Sequence, residues 1–301
     1  MTDYGHDLIF GTFITPMHES AEQVVQAAQH AERAGLDLVT FQDHPYQRRF
    51  LDTWTLLSYV AARTHRVRLA GDVLNLPLRP PAVLAKSVAS LDVLSGGRVE
   101  LGLGAGGFWD AIEAYGGRRL SPGQAVNALG EAIDVIRAIW DVDAREATSI
   151  RGEYYRLVGA KRGPAPAHPI EIWLGAYKPR MLRLTGTKAD GWLPSIGRMS
   201  IEEIVKANET IDEAATAAGR DPRHLRRLAN IIGQFGPTSP RLLSGPPEQW
   251  VEQLTALTLE HGFSGYILAG DNTGDYDRIG QEVIPAVREL VADERRRSVA
   301  S

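Results

Sequence analysis

Residues 67–108 constrain the fold more than any other stretch of this 301-residue chain. Residues 67–71 alternate and are rich in β-formers, as a half-buried strand should be. Pro80 and Pro81 suit a helix start, where a missing N–H costs nothing. Val83, Leu84, Val88, Leu91 and Leu94 then recur at helical spacing until Gly96 and Gly97 stop the helix. Residues 99–103 begin a second strand, which runs into Gly104-Ala105-Gly106-Gly107. The unit is β-α-β, so its two strands leave on the same side. Ligands of parallel sheets sit outside the carboxyl ends of the strands, and the site is expected there.

The same alternation fills the rest of the chain. Further strands are expected at 8–13, 36–41, 170–174, 191–194, 228–235 and 265–269. Between them fall helical patterns ending at Gly35 and covering 53–64, 124–140, 179–188, 200–218, 247–260 and 279–291. Ser20 with Gln23 and Ser200 with Glu203 have capping-box spacing, and Asp52 is placed to cap the helix from Thr53. Eight strands in this order predict an α/β chain closing into one (β/α)8 barrel over 1–301, a fold of typically about 250 residues. The pattern lapses between 142 and 168, where Tyr154, Tyr155 and Leu157 suggest a small hairpin. This segment reads as an insertion after the fourth β-α unit, covering the barrel mouth.

A net charge of −4 gives no field that would gather nucleic acid or an anionic membrane. The absence of cysteine excludes disulfides, thiolate nucleophiles and zinc–thiolate sites. No Lys or Arg precedes Arg33 and no long apolar run occurs, so neither a signal peptide nor a membrane span is expected, and the location expected is cytoplasmic. The eight histidines never fall within four residues of one another, so no local pair is set up for a metal.

Gly102 to Gly107 formally match G-x-G-x-x-G, yet three β-α units precede them and no prompt second strand follows, which argues against a dinucleotide fingerprint. The glycines are read instead as letting a flat ligand approach the backbone, with tight turns as the plain alternative. Asp43-His44 lies where a strand ends; spacing alone does not choose between a proton-exchanging pair and a braced loop. Asp72-Val73-Leu74-Asn75 leaves the third strand with a carboxylate that needs partners if buried. Arg79 either anchors a phosphate or pairs with a carboxylate, the latter being the commoner role. Gly175-Ala176, ahead of a helix from Pro179, is placed to offer N–H groups to an anion, or is an ordinary turn. Trp109, Tyr115, Tyr154, Tyr155, Trp173, Tyr177 and Trp192 fall near loop ends, where aromatics either wall a flat ring or pack the core.

Taken together, Ala34-Gly35-Leu36-Asp37, Gln42-Asp43-His44, Asp72 to Asn75, Arg79-Pro80-Pro81, Leu91-Asp92-Val93-Leu94-Ser95-Gly96-Gly97-Arg98, Gly102 to Gly106, Gly175-Ala176 and Ala189-Asp190-Gly191-Trp192 resemble the bacterial luciferase-like flavin oxidoreductase superfamily. That resemblance covers nearly the whole chain and implies a TIM barrel holding a flavin or deazaflavin at its mouth, often as a homodimer. Compact length and the Asp43-His44 pair resemble the branch that uses the deazaflavin coenzyme F-420. It implies a non-proline cis peptide at Asp72-Val73 buttressing the ring. The chain departs from the sugar-phosphate dehydrogenase of that branch: Arg48 stands near the position where that enzyme has a tryptophan, and Gly107 replaces its catalytic acid, so a sugar phosphate is not the expected substrate.

The expectation is therefore hydride transfer between coenzyme F-420 and a small organic molecule. His44 would exchange the proton and Asp43 would orient it. Asp72, Val73, Asn75, Gly104, Ala105 and Gly106 would line the deazaflavin, with Gly175 and Ala176 at its phosphate-bearing tail. One alternative is an FMN-dependent monooxygenase using reduced flavin and oxygen. The other is a catalytically silent flavin-binding barrel.

Overall fold

The computed structural model describes residues 2–300. Parallel strands β1 (Ile9–Ile14), β2 (Leu38–Phe41) and β3 (Arg68–Gly71) are followed by β4 (Leu74–Asn75) and β5 (Leu101–Gly104). An antiparallel hairpin, β6 (Thr148–Arg151) and β7 (Arg156–Ala160), precedes β8 (Ile172–Leu174), β9 (Gly191–Trp192) and β10 (Arg226–Ile231). A two-strand pair, β11 (Gln234–Phe235) with β12 (Ser244–Gly245), comes before β13 (Gly265–Ala269). The nine main strands pair in the order β3-β2-β1-β13-β10-β9-β8-β5-β4.

β3 and β4 are two halves of one stave, broken at Asp72-Val73. β3 pairs with β2 and β4 with β5, while Leu69 bridges Val99 just ahead of β5. That bridge closes the ring, so the eight expected staves are present.

Around them lie α1 (Ala21–Arg33), α2 (Thr53–Ala61), α3 (Pro81–Ser95), α4 (Trp109–Ala114), α5 (Pro122–Trp140), α6 (Pro179–Lys188), α7 (Ile201–Ala217) and α8 (Pro247–His261). The chain ends with α9 (Tyr276–Arg278), a π-helical turn and α10 (Ile284–Ala300). Asp52 caps α2 by accepting from the Thr55 N–H at 2.8 Å, and Ser200 with Glu203 forms both bonds of its capping box. Ser20 does not cap α1: a 3-10 turn over His18–Ser20 leaves it at φ −127°, ψ 36°, off the extended conformation a cap requires. A second box, Ser121 with Gln124, opens α5 instead. β10 ends at Ile231 rather than running through residue 235, since Gln234 and Phe235 pair instead with Ser244 and Gly245.

Inside the barrel, Ile9, Leu38, Ala70, Trp173, Leu193, Leu228 and Ile267 form an apolar plug capped by Phe13 and Val73. The lumen is therefore closed below and open only at its mouth. Outside it lies α3. Val83 and Leu94, part of the apolar set at helical spacing, are 65% and 83% exposed, and with Ser87 and Ser90 they make an outward stripe.

The insertion also differs from expectation. It leaves α5 at the amino-end face of the barrel and runs up the outer helix layer rather than over the mouth. Glu131 of α5 accepts from the N–H groups of Glu153 (2.9 Å), Tyr154 (2.9 Å) and Tyr155 (3.1 Å) at the hairpin tip. Only Tyr154, beneath the Arg118 guanidinium, reaches the rim. The cause is topological: a segment between a helix and the next strand emerges at the end opposite the site.

Candidate active site

β2 delivers Asp43 and His44 to the mouth, as the strand-end reading expects, but gives them separate duties. Asp43 is buried, and its carboxylate accepts from Arg79 Nε and Nη2 (both 2.7 Å) and from the Asn75 N–H (2.8 Å). Arg79 also donates to Asp52 at 2.9 Å. This bidentate pair ties the end of β2 to the bend after β4, and no hydrogen bond joins Asp43 to His44 among the described residues. The partner of His44 is Tyr46: Nδ1 lies 2.8 Å from the phenol oxygen, and among the described residues Nε2 has no partner. Burial pushes the His44 pKa below its ordinary value, the nearby Asp43 charge opposing it only in part. A neutral imidazole with one free nitrogen is the result.

An aromatic rim surrounds it. Phe108 stands edge-on to His44 with centroids 5.5 Å apart, and Tyr46 meets Phe108 at 5.9 Å and Tyr115 at 6.4 Å. Phe108 is 62% exposed, so this is an open wall and not core. Trp173 and Trp192, also candidates, are wholly buried and belong to the core, whereas Tyr177 is exposed.

The floor of the mouth is the Asp72-Val73 step, whose peptide is cis. Gly102 and Gly104 exist for it. A side-chain carbon at Gly102 would strike the Gly71 carbonyl oxygen, and one at Gly104 would lie 2.8 Å from Val73 Cγ2. At Gly102 and Gly104 the close approach is between chain segments. Gly106, at φ 97°, turns the loop against Pro77, and Ala105 packs on the core; the space beside Gly107 is open.

Around the step, three buried oxygens lack any hydrogen-bond partner: Asp72 Oδ2, Asn75 Oδ1 and Asn230 Oδ1. Buried polar atoms are nearly always satisfied, so three together mark a place where a polar ligand completes the structure. Gly175 lies over the same floor, 3.5 Å from Val73 were it to carry a side chain, but its N–H donates to Leu103 O at 3.4 Å. Ala176 is buried, and its carbonyl accepts from Trp192 Nε1 at 2.8 Å. The Gly175 N–H is thus engaged within the chain. No group of three or more His, Asp or Glu is arranged for a metal among the described residues.

Tyr46 and Asn230 are candidate site residues that sequence reading did not name. Tyr46 sits in irregular loop, where no period points to it. Asn230 did leave a signal: it is a polar residue two positions after the inward-facing Leu228, near the carboxyl end of its strand.

The signature segment Leu91 to Arg98 lies at the opposite end of the barrel. Arg98 donates to the carbonyls of Ala61, Thr64, Val67 and Ser95, and buried Asp92 accepts from the N–H groups of Val99, Ala167 and His168. Its work is to staple the amino-end face.

Comparison with known proteins agrees with this arrangement. The F-420-dependent glucose-6-phosphate dehydrogenase of Amycolatopsis mediterranei (strain U-32) is 32% identical over 223 residues, covering 70% of this chain and 66% of that protein. The chain thus spans just under two thirds of that relative. The enzyme of the same description from Mycolicibacterium fortuitum is 30% identical over 307 residues, covering 90% and 89%. The structure of an F-420-dependent secondary alcohol dehydrogenase with an F-420–acetone adduct superposes with a TM-score of 0.82 at 18% identity, covering 94% of this chain and 99% of that one. Residues 8–288 match the family described as luciferase-like monooxygenase. The blind barrel, the split third stave and these matches agree: the chain belongs to the luciferase-like family of oxidoreductases.

Proposed function

We propose that this chain transfers hydride between coenzyme F-420 and the carbinol or carbonyl carbon of a small organic substrate. The observation that carries the proposal is His44: desolvated, held at Nδ1 by Tyr46, free at Nε2, and standing at the mouth whose floor has three unsatisfied oxygens. Those oxygens and the Val73 ledge suit a flat ring with a polar edge. Asp72, Val73, Asn75, Gly104, Ala105 and Gly106 would hold the ring, with Gly175 and Ala176 at the side where its tail leaves. When bound, the deazaflavin supplies a carbon that accepts or returns hydride. In alcohol oxidation His44 takes the hydroxyl proton at Nε2 as hydride leaves the carbinol carbon; in carbonyl reduction it gives that proton back. Asp43 positions the loop through Arg79 and is no longer assigned the orienting role. The wall of Tyr46, Phe108 and Tyr115 favours an apolar substrate over a sugar phosphate.

The test is a titration of the apoprotein with F-420 and, separately, with FMN, followed by fluorescence. Micromolar F-420 binding, lost in Asp72→Arg, with FMN far weaker, supports the proposal. Tight FMN binding overturns it and favours the monooxygenase alternative, which the family's own description keeps in view; oxygen consumption with reduced FMN then becomes the assay. Retention of either ring with no turnover leaves the silent barrel.

A homodimer belongs to the same proposal. Contiguous exposed apolar surface marks an interaction site, and the α3 stripe, flanked by Trp54 of α2, fits a second copy related by a two-fold axis. Among the described residues no helix is long and apolar enough to cross a membrane. The cytoplasmic location expected from the sequence stays part of the proposal.

A further inference from the structure

Hydride transfer through His44 leaves one carboxyl group at the floor unused. Asp72 is buried, its Oδ1 accepts from Asn230 Nδ2 at 3.1 Å, and its Oδ2 has no partner. Both neighbours that reach it are neutral: Thr40 from β2 and Asn230 from β10. Among the cations at this end of the barrel, Arg79 is engaged by Asp43 and Asp52, and no charged side chain contributes to the shift at Asp72, while His44 and Tyr46 hold each other. A carboxyl group buried without a counter-ion is favoured in its protonated form, and burial pushes Asp72 up to about 6. The free Oδ2 belongs to the same hydrogen-bonded pair as the equally free Asn230 Oδ1. With Asp72 protonated, the pair offers one donor and one acceptor.

We propose that Asp72 is a proton-linked specificity residue for the ring seated on this floor: protonated, it donates from Oδ2 to a ring carbonyl while Asn230 Oδ1 accepts from the adjacent ring N–H. Ionised, the same oxygen repels that carbonyl. The chemical class recognised is a planar heterocycle with a carbonyl beside an N–H, the pattern on the pyrimidine edge of flavins and deazaflavins. The inference rests on the F-420 reading above. Binding then carries a proton with it, so above the titration range of Asp72 the affinity falls by up to about tenfold per pH unit.

The experiment is a fluorescence titration of apoprotein with oxidised coenzyme F-420 from pH 5.5 to 8.5, for wild type, Asp72→Asn and Asp72→Ser. Calorimetry in buffers of different ionisation enthalpy reads the proton uptake directly. Asn keeps a donor where Oδ2 stands and cannot ionise; Ser is a second neutral variant should Asn fail to fold, which thermal denaturation of the apoprotein reports. Taking the ratio to a variant cancels the titration of every group the proteins share, including the cofactor's own. The expected result is a wild-type affinity that falls at least tenfold further than that of Asp72→Asn between pH 6.5 and 8.5, with proton uptake in wild type alone. Parallel curves for wild type and variant overturn this inference and leave the F-420 reading standing. No F-420 binding by wild type at any pH overturns both.

Discussion

Asp92→Asn tests whether the segment Leu91 to Arg98 is structural or chemical. Asp92 is fully buried. Its Oδ1 accepts from the Val99 N–H at 3.1 Å, and its Oδ2 accepts from the N–H groups of Ala167 at 2.7 Å and His168 at 3.2 Å. His168 Nδ1 lies 3.0 Å from Oδ1, while its Nε2 lies 3.2 Å from Glu100 Oε1. Both ring nitrogens meet carboxylate oxygens, so both carry protons, and the Glu100 and Asp92 bonds raise the His168 pKa. An asparagine keeps the Val99 bond but turns an NH2 toward two backbone N–H groups. Leaving those two unsatisfied costs about 1–3 kcal/mol each, and part of a buried ion pair is lost as well. A net loss of about 4 kcal/mol, at about 2 °C per kcal/mol for a chain of this size, lowers Tm by about 8 °C. The sign with pH follows from the raised His168 pKa. Its stabilisation is fully present below the ordinary histidine value of about 6.5 and is lost as pH rises through the folded-state value. The penalty is therefore larger at pH 6 than at pH 9. Calorimetry of wild type and variant at both pH values measures this, alongside F-420 affinity at 20 °C, where the variant is still folded. A variant with unchanged Tm and lost cofactor affinity would refute the structural assignment.

Three further outcomes are expected. His44→Asn should lower kcat by about 10²–10⁴-fold with little change in F-420 affinity; wild-type alcohol oxidation should rise with pH through a value below the ordinary histidine range, since burial depresses His44 and the base must be neutral. Arg79→Met should cost about 3–5 kcal/mol by stranding the buried Asp43 carboxylate, read as a drop in denaturation midpoint that Asp43→Asn in the same chain partly restores. Leu94→Glu, on a residue 83% exposed, should halve the mass measured by light scattering without loss of helicity; an unchanged dimer places the interface elsewhere.

Much of the barrel was legible because period 3.6 and period 2 alternate cleanly along the chain, and Gly96, Asp52 and Ser200 punctuate it with side chains that have a local job. The capping box at Ser20 misled because a turn just before it changed its backbone. Val83 and Leu94 were legible as apolar, but periodicity does not tell whether a core or a partner receives such a residue. At the mouth, strand ends located Asp43, His44 and Asp72 correctly, yet their division of labour lay in contacts across many residues: Asp43 with Arg79, Asp72 with Asn230. No local pattern records such pairings. The glycines of the loop after β5 were legible as close approach, but only the fold shows that the Asp72-Val73 step is one of the things that approach them.

The apolar plug beneath Val73 has a kinetic consequence. A well with a sealed bottom has one door, so a guest lying on the floor is trapped beneath any guest that follows it. The order of entry is then fixed by depth: the ring must arrive first and depart last, and an excess of the second reactant should slow the exchange of the first.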